Sequence, residues 1–375
     1  MNIGITCYPT YGGSGVVATE LGIALAERGH EVHFVSYASP FRLQHFYENV
    51  TFHAVEQSTY PLFDFNLYTL ALASKLVEVA QYQKLDILHM HYAIPHAVSG
   101  YLAREIVGRK NVKLVTTLHG TDSTLVGLEP SFLPLTRFSI QESDGVTAVS
   151  RFLKEKTLTS YNIEKDIEII PNFINSTLFA PSTSPDLRNR IAPNGEKVLC
   201  HISNFRPVKR VTDVIRVFKL VQQTFPAKLL LVGDGPDRLE CESLSRDLGI
   251  ADDVRFLGKQ DALVEILSAS DLFLLPSQSE SFGLSALEAM SCGVPVISSS
   301  TGGIPEVNIH AETGYISEMG DLDRMARYAI ELLTNESKYR NFSTAARKRA
   351  VEVYDSALVV PKYEQFYSKI LGASQ

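Results

Sequence analysis

Short apolar runs alternate with helical patterns from one end of the chain to the other. This alternation is typical of parallel sheets whose two faces are covered by helices. In the first half we predict strands at Ile3–Cys7, Val32–Val35, Ile87–His91, Lys113–Leu118 and Val146–Val149. In the second half we predict strands at Val198–Ile202, Leu229–Val232, Val254–Leu257, Leu272–Leu275 and Val294–Ser298. The pattern predicts an α/β fold with two doubly wound, Rossmann-like units in tandem.

A stretch rich in Pro and Ser, without periodicity, separates the two groups of strands. It follows Ile167–Ile174 and precedes the strand pattern that begins at Lys197. The chain of 375 residues is longer than the roughly 250–300 residues over which one core keeps growing, so two domains are expected. We place an amino-terminal domain at residues 1–168 and a carboxyl-terminal domain at 169–355, with a helix at 356–375 expected to pack back on the first domain.

Composition narrows the class of protein. With 45% hydrophobic and 21% charged residues, the chain is typical of a globular protein. No apolar run approaches the roughly 20 residues of a membrane span, and the net charge of −7 disfavours nucleic-acid binding. Because a strand pattern starts just after Met1, we expect no signal peptide and a cytoplasmic protein without membrane association. Whether the chain forms a homo-oligomer stays open.

The segment Asp271–Ile297 carries the clearest chemical signal. It reads as strand, polar loop, helix, glycine stop and strand, with Glu280 in the loop and Glu288 on the helix. The helix begins near Phe282 or Gly283, so its free amides face the carboxyl edge of the sheet and suit a pyrophosphate. Either glutamate alone could equally be a solvated surface residue. Together with the glycine, they favour a site for a phosphate joined to a hydroxyl-rich group.

This segment resembles the signature of family 4 of the retaining glycosyltransferases, and the likeness extends over nearly the whole chain. The resemblance implies the GT-B fold, in which two Rossmann-like domains face each other across a cleft. It also implies that Glu280 binds hydroxyls of a donor sugar and that Glu288 binds the ribose of a nucleotide. The backbone at Phe282, Gly283 and Leu284 is implied to hold the phosphates, and Ser281 is a further donor-binding candidate.

Further loops after strands of the second half are candidates for donor binding. Ser203–Arg210 places three cations where they can neutralise a pyrophosphate, although an exposed basic turn would look the same. Lys209 matches a family lysine, whereas Asn204 stands where many members have arginine, so Arg206 is a candidate replacement. The resemblance sets the uracil against the backbone after Gly258. The donor candidates in these loops are Asn204, Arg206, Lys209, Gly233, Lys259 and Gln260.

The loop that opens the first helix contains Gly13, Gly15 and Ala18, which fit the dinucleotide fingerprint. The second strand lacks the acidic residue that would hold a ribose, so a nucleotide-dependent oxidoreductase is only an alternative. The loop offers bare amides at a helix N-terminus, which can bind an anion. We assign Gly13 and Ser14 to an acceptor and Gly15 to the donor.

Histidines cluster at and just beyond the ends of two strands of the first half. His89, His91 and His96 could form part of a metal site, since the first two share one face of a strand. No cluster of Cys or carboxylates with compatible spacing accompanies them, so we expect no metal and no other cofactor. His119 ends the strand Lys113–Leu118, where a lone histidine could simply cap a loop. The resemblance places a histidine here beside the donor sugar.

Five segments resemble one branch of the family in detail. They are Gly4–Gly22, His89–Ala97, Thr116–Asp122, Ser203–Arg210 and Glu280–Leu284. That branch transfers N-acetylglucosamine from UDP-N-acetylglucosamine to L-malate in the first step of bacillithiol synthesis. The resemblance therefore implies a retaining hexosyltransferase for which the UDP-sugar is a substrate, with His119, Lys209 and Glu280 as catalytic candidates. A family member with another acceptor, a polysaccharide or a glycolipid, is the alternative.

A small dicarboxylate acceptor needs cations or convergent hydrogen-bond donors. Besides the glycine-rich loop, two residues end strands at the same edge of the first sheet, namely Tyr92 and Thr121. Arg137 lies in an otherwise apolar helical pattern and could equally be a surface residue with a buried stem. The acceptor candidates are Gly13, Ser14, Tyr92, Thr121 and Arg137.

Overall fold

The computed structural model describes residues 1–10, 12–43, 45–56, 67–121, 126–182 and 185–372. The chain divides into two compact units. The first comprises Met1–Asn172 together with the chain from Val359 onward, and the second comprises Phe173–Leu358. Each unit has its own parallel sheet covered by helices, so the predicted α/β fold is confirmed.

The first unit is built on a parallel sheet with the strand order β3-β2-β1-β4-β5-β6-β7. The described strands are β1 (Asn2–Thr6), β2 (Glu31–Ser36), β3 (Val50–Ala54), β4 (Ile87–His91), β5 (Lys113–Leu118), β6 (Gly145–Ala148) and β7 (Glu168–Ile169). Every residue of β4 is buried, as expected for a central strand with helices on both faces. Strands β1, β4 and β5 are neighbours, so the loops after them meet at one edge.

The second unit is built on a parallel sheet with the strand order β10-β9-β8-β11-β12-β13. The described strands are β8 (Lys197–Ile202), β9 (Ala227–Val232), β10 (Val254–Gly258), β11 (Leu272–Leu275), β12 (Val296–Ser299) and β13 (Gly314–Ser317). The order reverses between β8 and β11, which are adjacent in the sheet. Open α/β sheets bind ligands beside such a point, at the carboxyl ends of the strands.

Helices cover both faces of each sheet. Those of the first unit are α1 (Gly13–Glu27), α2 (Tyr68–Tyr82), α3 (Val98–Val107), α4 (Leu133–Glu142) and α5 (Arg151–Tyr161). Those that follow are α6 (Pro185–Ile191), α7 (Val211–Gln222), α8 (Arg238–Asp247), α9 (Leu263–Ser268), α10 (Leu284–Ser291), α11 (Ile304–Val307), α12 (Leu322–Thr334), α13 (Glu336–Tyr354) and α14 (Ser356–Gly372). In α7, buried Val211, Val214, Ile215 and Phe218 recur with helical spacing and form one apolar face.

The last helix, α14, is fastened to the first unit by polar and apolar contacts. The Tyr367 hydroxyl lies 2.7 Å from Nδ1 of His89 on β4. Glu364 accepts a hydrogen bond of 2.7 Å from Arg28, and its other oxygen lies 2.9 Å from the ring of His30. A Cβ at Gly145 would lie 2.2 Å from Ile370, so the glycine lets α14 approach the sheet closely. Residues at the end of the sequence therefore complete the core around β4.

Candidate active site

In the second unit, Lys209 and Glu280 join two loops at the carboxyl edge of the sheet. Lys209 ends a short 3-10 turn after β8, and its Nζ donates a hydrogen bond to Oε1 of Glu280, which follows β11. The two side chains are only 20% and 13% exposed. A partly shielded ion pair of this kind holds both charged groups in defined orientations. The structure thus brings together two of the three catalytic candidates.

The backbone of Glu280 is held by the loop after β12. The amide of Gly303 donates a hydrogen bond of 2.9 Å to the carbonyl of Glu280. Gly302 has a φ of +61°, and a Cβ there would lie 1.8 Å from the same carbonyl oxygen. The hydroxyl of Thr301 also donates to the carbonyl of Ser277, over 2.9 Å. Only glycine fits this close approach, so the position of Glu280 depends on Gly302.

Helix α10 begins directly after the loop that contains Glu280. Its N-cap, Gly283, has a φ of 96° and offers no side-chain cap, so the first amides of the helix stay available to a ligand. Phe282 is 3% exposed and packs edge-on against Tyr354, with ring centroids 5.5 Å apart. Glu288 lies in the second turn of α10 and is 4% exposed. The structure therefore sets open amides and a buried carboxylate close together at the sheet edge.

The other donor candidates lie on loops after β8, β9 and β10. Asn204 has a buried side-chain oxygen without a hydrogen-bond partner among the described residues. A Cβ at Gly233 would lie 1.7 Å from the carbonyl of Ser203, so the loops after β9 and β8 are in close contact. The side-chain amide of Gln260 donates a hydrogen bond of 2.6 Å to the carbonyl of Leu257. Lys259 is exposed.

The three cations of Ser203–Arg210 have different environments. Arg210 is bonded to Asp213 over 2.5 Å and is therefore part of the local structure of α7. Lys209 is paired with Glu280, as described above. Arg206 is exposed, and its side chain makes no hydrogen bond or ion pair with any residue that the structure describes, whereas its backbone carbonyl accepts a hydrogen bond of 2.8 Å from the amide of Lys209. The side chain of Arg206 is thus available to a ligand, and its role in phosphate binding stays a prediction.

In the first unit, the glycine-rich loop and the end of β4 are joined through Ser14 and Tyr92. The two hydroxyl oxygens lie 2.7 Å apart. Tyr92 has a φ of +98°, a conformation that costs energy for a residue with a side chain. Gly15 lies so near the preceding loop that a Cβ would be 2.4 Å from the carbonyl of Tyr8. Gly13, exposed, is the first residue of α1.

His119 lies beside this pair, at the end of β5. Its ring centroid is 5.5 Å from that of Tyr92, and its Nε2 lies 2.8 Å from Nδ1 of His91. Burial, with a smaller effect of neighbouring His96, lowers the pKa of His119 to about 3, so the ring is neutral. Thr121, two positions on, is half-buried. The structure therefore brings Ser14, Tyr92 and His119 together.

Arg137 does not join this group of contacts. Its side chain is exposed on α4 and donates a hydrogen bond of 3.2 Å to the carbonyl of Asn162, which follows α5. A role for Arg137 in acceptor binding stays a prediction without structural support. Tyr11 and Asp122, which belong to the segments Gly4–Gly22 and Thr116–Asp122, lie outside the described residues.

Several ring nitrogens of the histidine cluster bond to protein atoms, whereas Nε2 of His91 and Nε2 of His96 have no hydrogen-bond partner among the described residues. His89 uses Nε2 for the hydroxyl of Thr117, at 2.7 Å, and Nδ1 for Tyr367. His91 and His119 bond to each other, and Nδ1 of His96 lies 2.6 Å from the carbonyl of His91. In the described part of the chain, no group of three or more His, Cys, Asp or Glu residues could hold a metal ion.

Two functional features escaped the sequence prediction. The support of Glu280 by Gly302 was missed, although Thr301–Gly303 also follows a strand of the second half and could have been assigned to the same edge. The bond between His91 and His119 was missed because it depends on β4 and β5 being neighbours, which the sequence does not reveal.

No helix among the described residues is long and apolar enough to cross a membrane.

Comparison with known proteins agrees with this geometry. Residues 11–178 match the family described as Glycosyltransferase Family 4, and residues 184–349 match Glycosyl transferases group 1. Over 372 residues the chain is 50% identical to N-acetyl-alpha-D-glucosaminyl L-malate synthase from Bacillus anthracis. The aligned residues cover 99% of this chain and 97% of that enzyme.

Solved structures share the fold over the full length. Sucrose-phosphate synthase from Thermosynechococcus elongatus has a TM-score of 0.81 at 23% identity, covering 100% of both chains. Anabaena HepE in complex with UDP and glucose has a TM-score of 0.83 at 20% identity, covering 98% of this chain and 99% of that one. At these identities the likeness shows the fold alone. Taken with the family matches and the relative at 50% identity, it shows that the chain belongs to family 4 of the glycosyltransferases and has the GT-B fold.

Proposed function

We propose that the chain transfers N-acetylglucosamine from UDP-N-acetylglucosamine to L-malate with retention of configuration. The products are N-acetyl-α-D-glucosaminyl L-malate and UDP, and the reaction is the first step of bacillithiol synthesis. One observation carries the choice of substrates: the 50% identity, along 99% of the chain, to the Bacillus anthracis enzyme named for this product. Such substrates are cytoplasmic metabolites, so the proposal also locates the enzyme in the cytoplasm.

The second unit binds the donor in this proposal. The first amides of α10, after Gly283, hold the pyrophosphate, because unpaired helix N–H groups and the helix dipole favour phosphate. Lys209 adds a positive charge, and its ion pair with Glu280 keeps that charge at the sheet edge when no donor is bound. Glu288, buried and acidic, accepts hydrogen bonds from the ribose. Glu280 accepts hydrogen bonds from the sugar hydroxyls.

Arg206 is a second cation for the pyrophosphate. Its side chain is exposed, whereas neighbouring Arg210 is committed to Asp213. An arginine can bind phosphate oxygens through two parallel hydrogen bonds. In this proposal it compensates for the asparagine at position 204. The backbone around Gly233 and Gln260 contributes the remaining donor contacts.

The first unit binds the acceptor. The amides at Gly13 and Ser14 open α1 and can bind a carboxylate, while the hydroxyls of Ser14 and Tyr92, bonded over 2.7 Å, can donate to it. The strained backbone of Tyr92 supports this assignment, because such strain concentrates at functional sites. Thr121 and neutral His119 complete the group of polar side chains at this sheet edge.

The transfer step needs no covalent intermediate in this proposal. The malate hydroxyl oxygen bonds to the anomeric carbon on the face from which UDP departs, and the bond from that carbon to the β-phosphate oxygen breaks. The hydroxyl proton passes to the departing phosphate. Developing negative charge on UDP is stabilised by the α10 amides, Lys209 and Arg206. Catalysis then rests on orienting the substrates and on electrostatic stabilisation.

The product identifies the reaction directly. The purified protein is incubated with UDP-N-acetylglucosamine and L-malate, and the glycoside is isolated and examined by proton NMR. The proposal predicts a sugar–malate adduct whose anomeric proton shows the small coupling of an α-glycoside. A β-glycoside would overturn retention, and a free sugar in place of an adduct would overturn the transfer to malate.

A further inference from the structure

A fully buried histidine lies directly behind His119. His91 ends β4, and its Nδ1 is 2.8 Å from Nε2 of His119 at the end of β5. The two ring planes are inclined by only 24°. Strands β4 and β5 pair in parallel, with His91 opposite Thr117, so the histidine pair bridges two neighbouring strand ends. His91 has no other assignment in the reaction.

The bonding pattern of His91 decides which ring carries the shared proton. A neutral imidazole has one N–H donor and one acceptor nitrogen. Nε2 of His91 is buried and has no hydrogen-bond partner among the described residues. An orphaned buried N–H is rarer in proteins than an orphaned acceptor. The proton of His91 is therefore on Nδ1, which donates to Nε2 of His119.

We propose that His91 is a positioning residue that keeps His119 neutral, as the Nδ1–H tautomer, with its ring in a fixed orientation. The inference depends on the proposed function only in placing His119 at the reacting centre. A protonated His119 would carry N–H groups on both nitrogens, and one of them would face the N–H of His91. The donated bond therefore opposes protonation of His119.

The surroundings of His91 hold it in place. Its carbonyl accepts a hydrogen bond of 2.6 Å from Nδ1 of His96, and its ring lies 4.4 Å from that of His89. His89 is fixed in turn by Tyr367 on α14 and by Thr117. The titratable groups beside the pair are His89 on β4 and Tyr92 and His96 on the turn after it. Tyr363 and Tyr367 on α14 contact the ring of His89. Burial lowers the pKa of His91 well below its ordinary value, and neighbouring histidines lower it further.

Two substitutions of His91 separate a specific role from a merely structural one. In His91→Asn, the side-chain amide can donate from about the place of Nδ1, whereas His91→Leu removes the donor. We expect His91→Leu to lower kcat by about 10- to 100-fold, the range seen when a metal-bound histidine loses the partner that orients it. We also expect the acid limb of kcat/KM to move to higher pH, because His119 protonates more readily. His91→Asn should keep the acid limb of the unsubstituted enzyme.

The control is His33→Leu, which removes a different buried histidine from β2 of the same sheet. His33 bonds to His53 over 3.1 Å and takes no part in the proposed site. This variant should keep the pH profile of the unsubstituted enzyme. The proposal is overturned if His91→Leu loses activity equally at every pH, or if its acid limb matches that of His91→Asn.

A second measurement needs no substrate. In protein labelled with ¹⁵N-histidine, NMR distinguishes the two neutral tautomers, and His91→Asn and His119→Gln identify the two rings. We expect Nδ1–H for both His91 and His119, with neither ring titrating near neutral pH. Nε2–H at His119, or titration near neutral pH, would overturn the proposal even if L-malate were not the acceptor. The expected tautomers without transfer to malate would leave His91 supported and contradict only the proposed function.

Discussion

Lys209 and Glu280 form a partly shielded ion pair although 71 positions separate them in the sequence. Lys209 reaches the pair from the loop after β8, and Glu280 from the loop after β11. These strands are neighbours at the point where the strand order reverses. A positive charge, a carboxylate and the open amides of α10 therefore share one sheet edge, the combination that a sugar nucleotide requires.

Replacing Lys209 should damage catalysis more than folding. In Lys209→Ala, the charge that stabilises departing UDP is lost, and kcat should fall by about 10²–10³-fold, as for loss of one donor to a developing anion. The measurement is steady-state UDP release. Lys348→Ala is the control, since this lysine is 67% exposed on α13. Equal kcat values for both variants would remove Lys209 from the reaction.

The close approach at Gly302 predicts a second effect. Gly302→Ala would put a Cβ 1.8 Å from the carbonyl of Glu280, so the loop must move and donor affinity should fall at least about tenfold. Gly249→Ala is a matched control, because Gly249 also has a positive φ, of +66°, but open space around it. Calorimetric titration with UDP-N-acetylglucosamine compares the two. Similar donor affinities would show that Glu280 does not depend on Gly302.

Tyr92 should affect the acceptor alone. Tyr92→Phe removes a hydroxyl bonded to Ser14 over 2.7 Å. Loss of one hydrogen bond costs about 1 kcal/mol, so the KM for L-malate should rise about fivefold while the KM for the donor stays unchanged. Tyr82→Phe, at a residue 81% exposed, is the control. A rise in the KM for the donor, with the KM for L-malate unchanged, would show that Tyr92 does not bind the acceptor.

Buried neutral histidines should make the fold sensitive to acid. Burial lowers the pKa of His89 to about 3, and lowers those of His96 and His201 to about 4. In the unfolded chain each pKa is about 6.5. Stability is therefore fully present above about pH 6.5 and declines toward the folded pKa values, because the unfolded state binds more protons. Each histidine contributes up to about 2 kcal/mol to this loss at pH 5.

Urea unfolding at about pH 7.5 and about pH 5 measures this effect. We expect a lower midpoint at the acidic pH, with little change in the slope. An identical midpoint at the two pH values would mean that the folded and unfolded protein bind the same number of protons over this pH range, which would contradict the lowered pKa values of these histidines.

Much of the fold could be predicted because central strands of parallel sheets are apolar and short. The strands that escaped prediction lack this signal. In β3, Val50–Ala54, no residue is fully buried, and β7 consists of two exposed residues, Glu168 and Ile169. β13, Gly314–Ser317, has only four residues and begins with glycine. β3 and β7 form the two edges of the first sheet and bury little surface, so their sequences constrain the prediction less.

Some residues of the candidate site could likewise be predicted from the sequence, and others could not. Glu280 and Glu288 could be found because the strand, loop and helix around them are continuous in sequence. The pairing of His91 with His119 could not, since it requires knowing that β4 and β5 are neighbours. Arg137 was selected because it is a charged residue in an otherwise apolar helical pattern. Its exposed position, with a hydrogen bond to the carbonyl of Asn162, depends on the packing of α4 and α5.

The most direct test follows UDP release from UDP-N-acetylglucosamine with and without L-malate. The proposed function predicts slow release from the donor alone and strong stimulation by L-malate, with one UDP formed for each malate consumed. D-malate and succinate serve as controls, because succinate lacks the hydroxyl that attacks the sugar. Release that L-malate does not stimulate, while another hydroxylated acceptor does, would contradict the assignment of the acceptor and leave only the family.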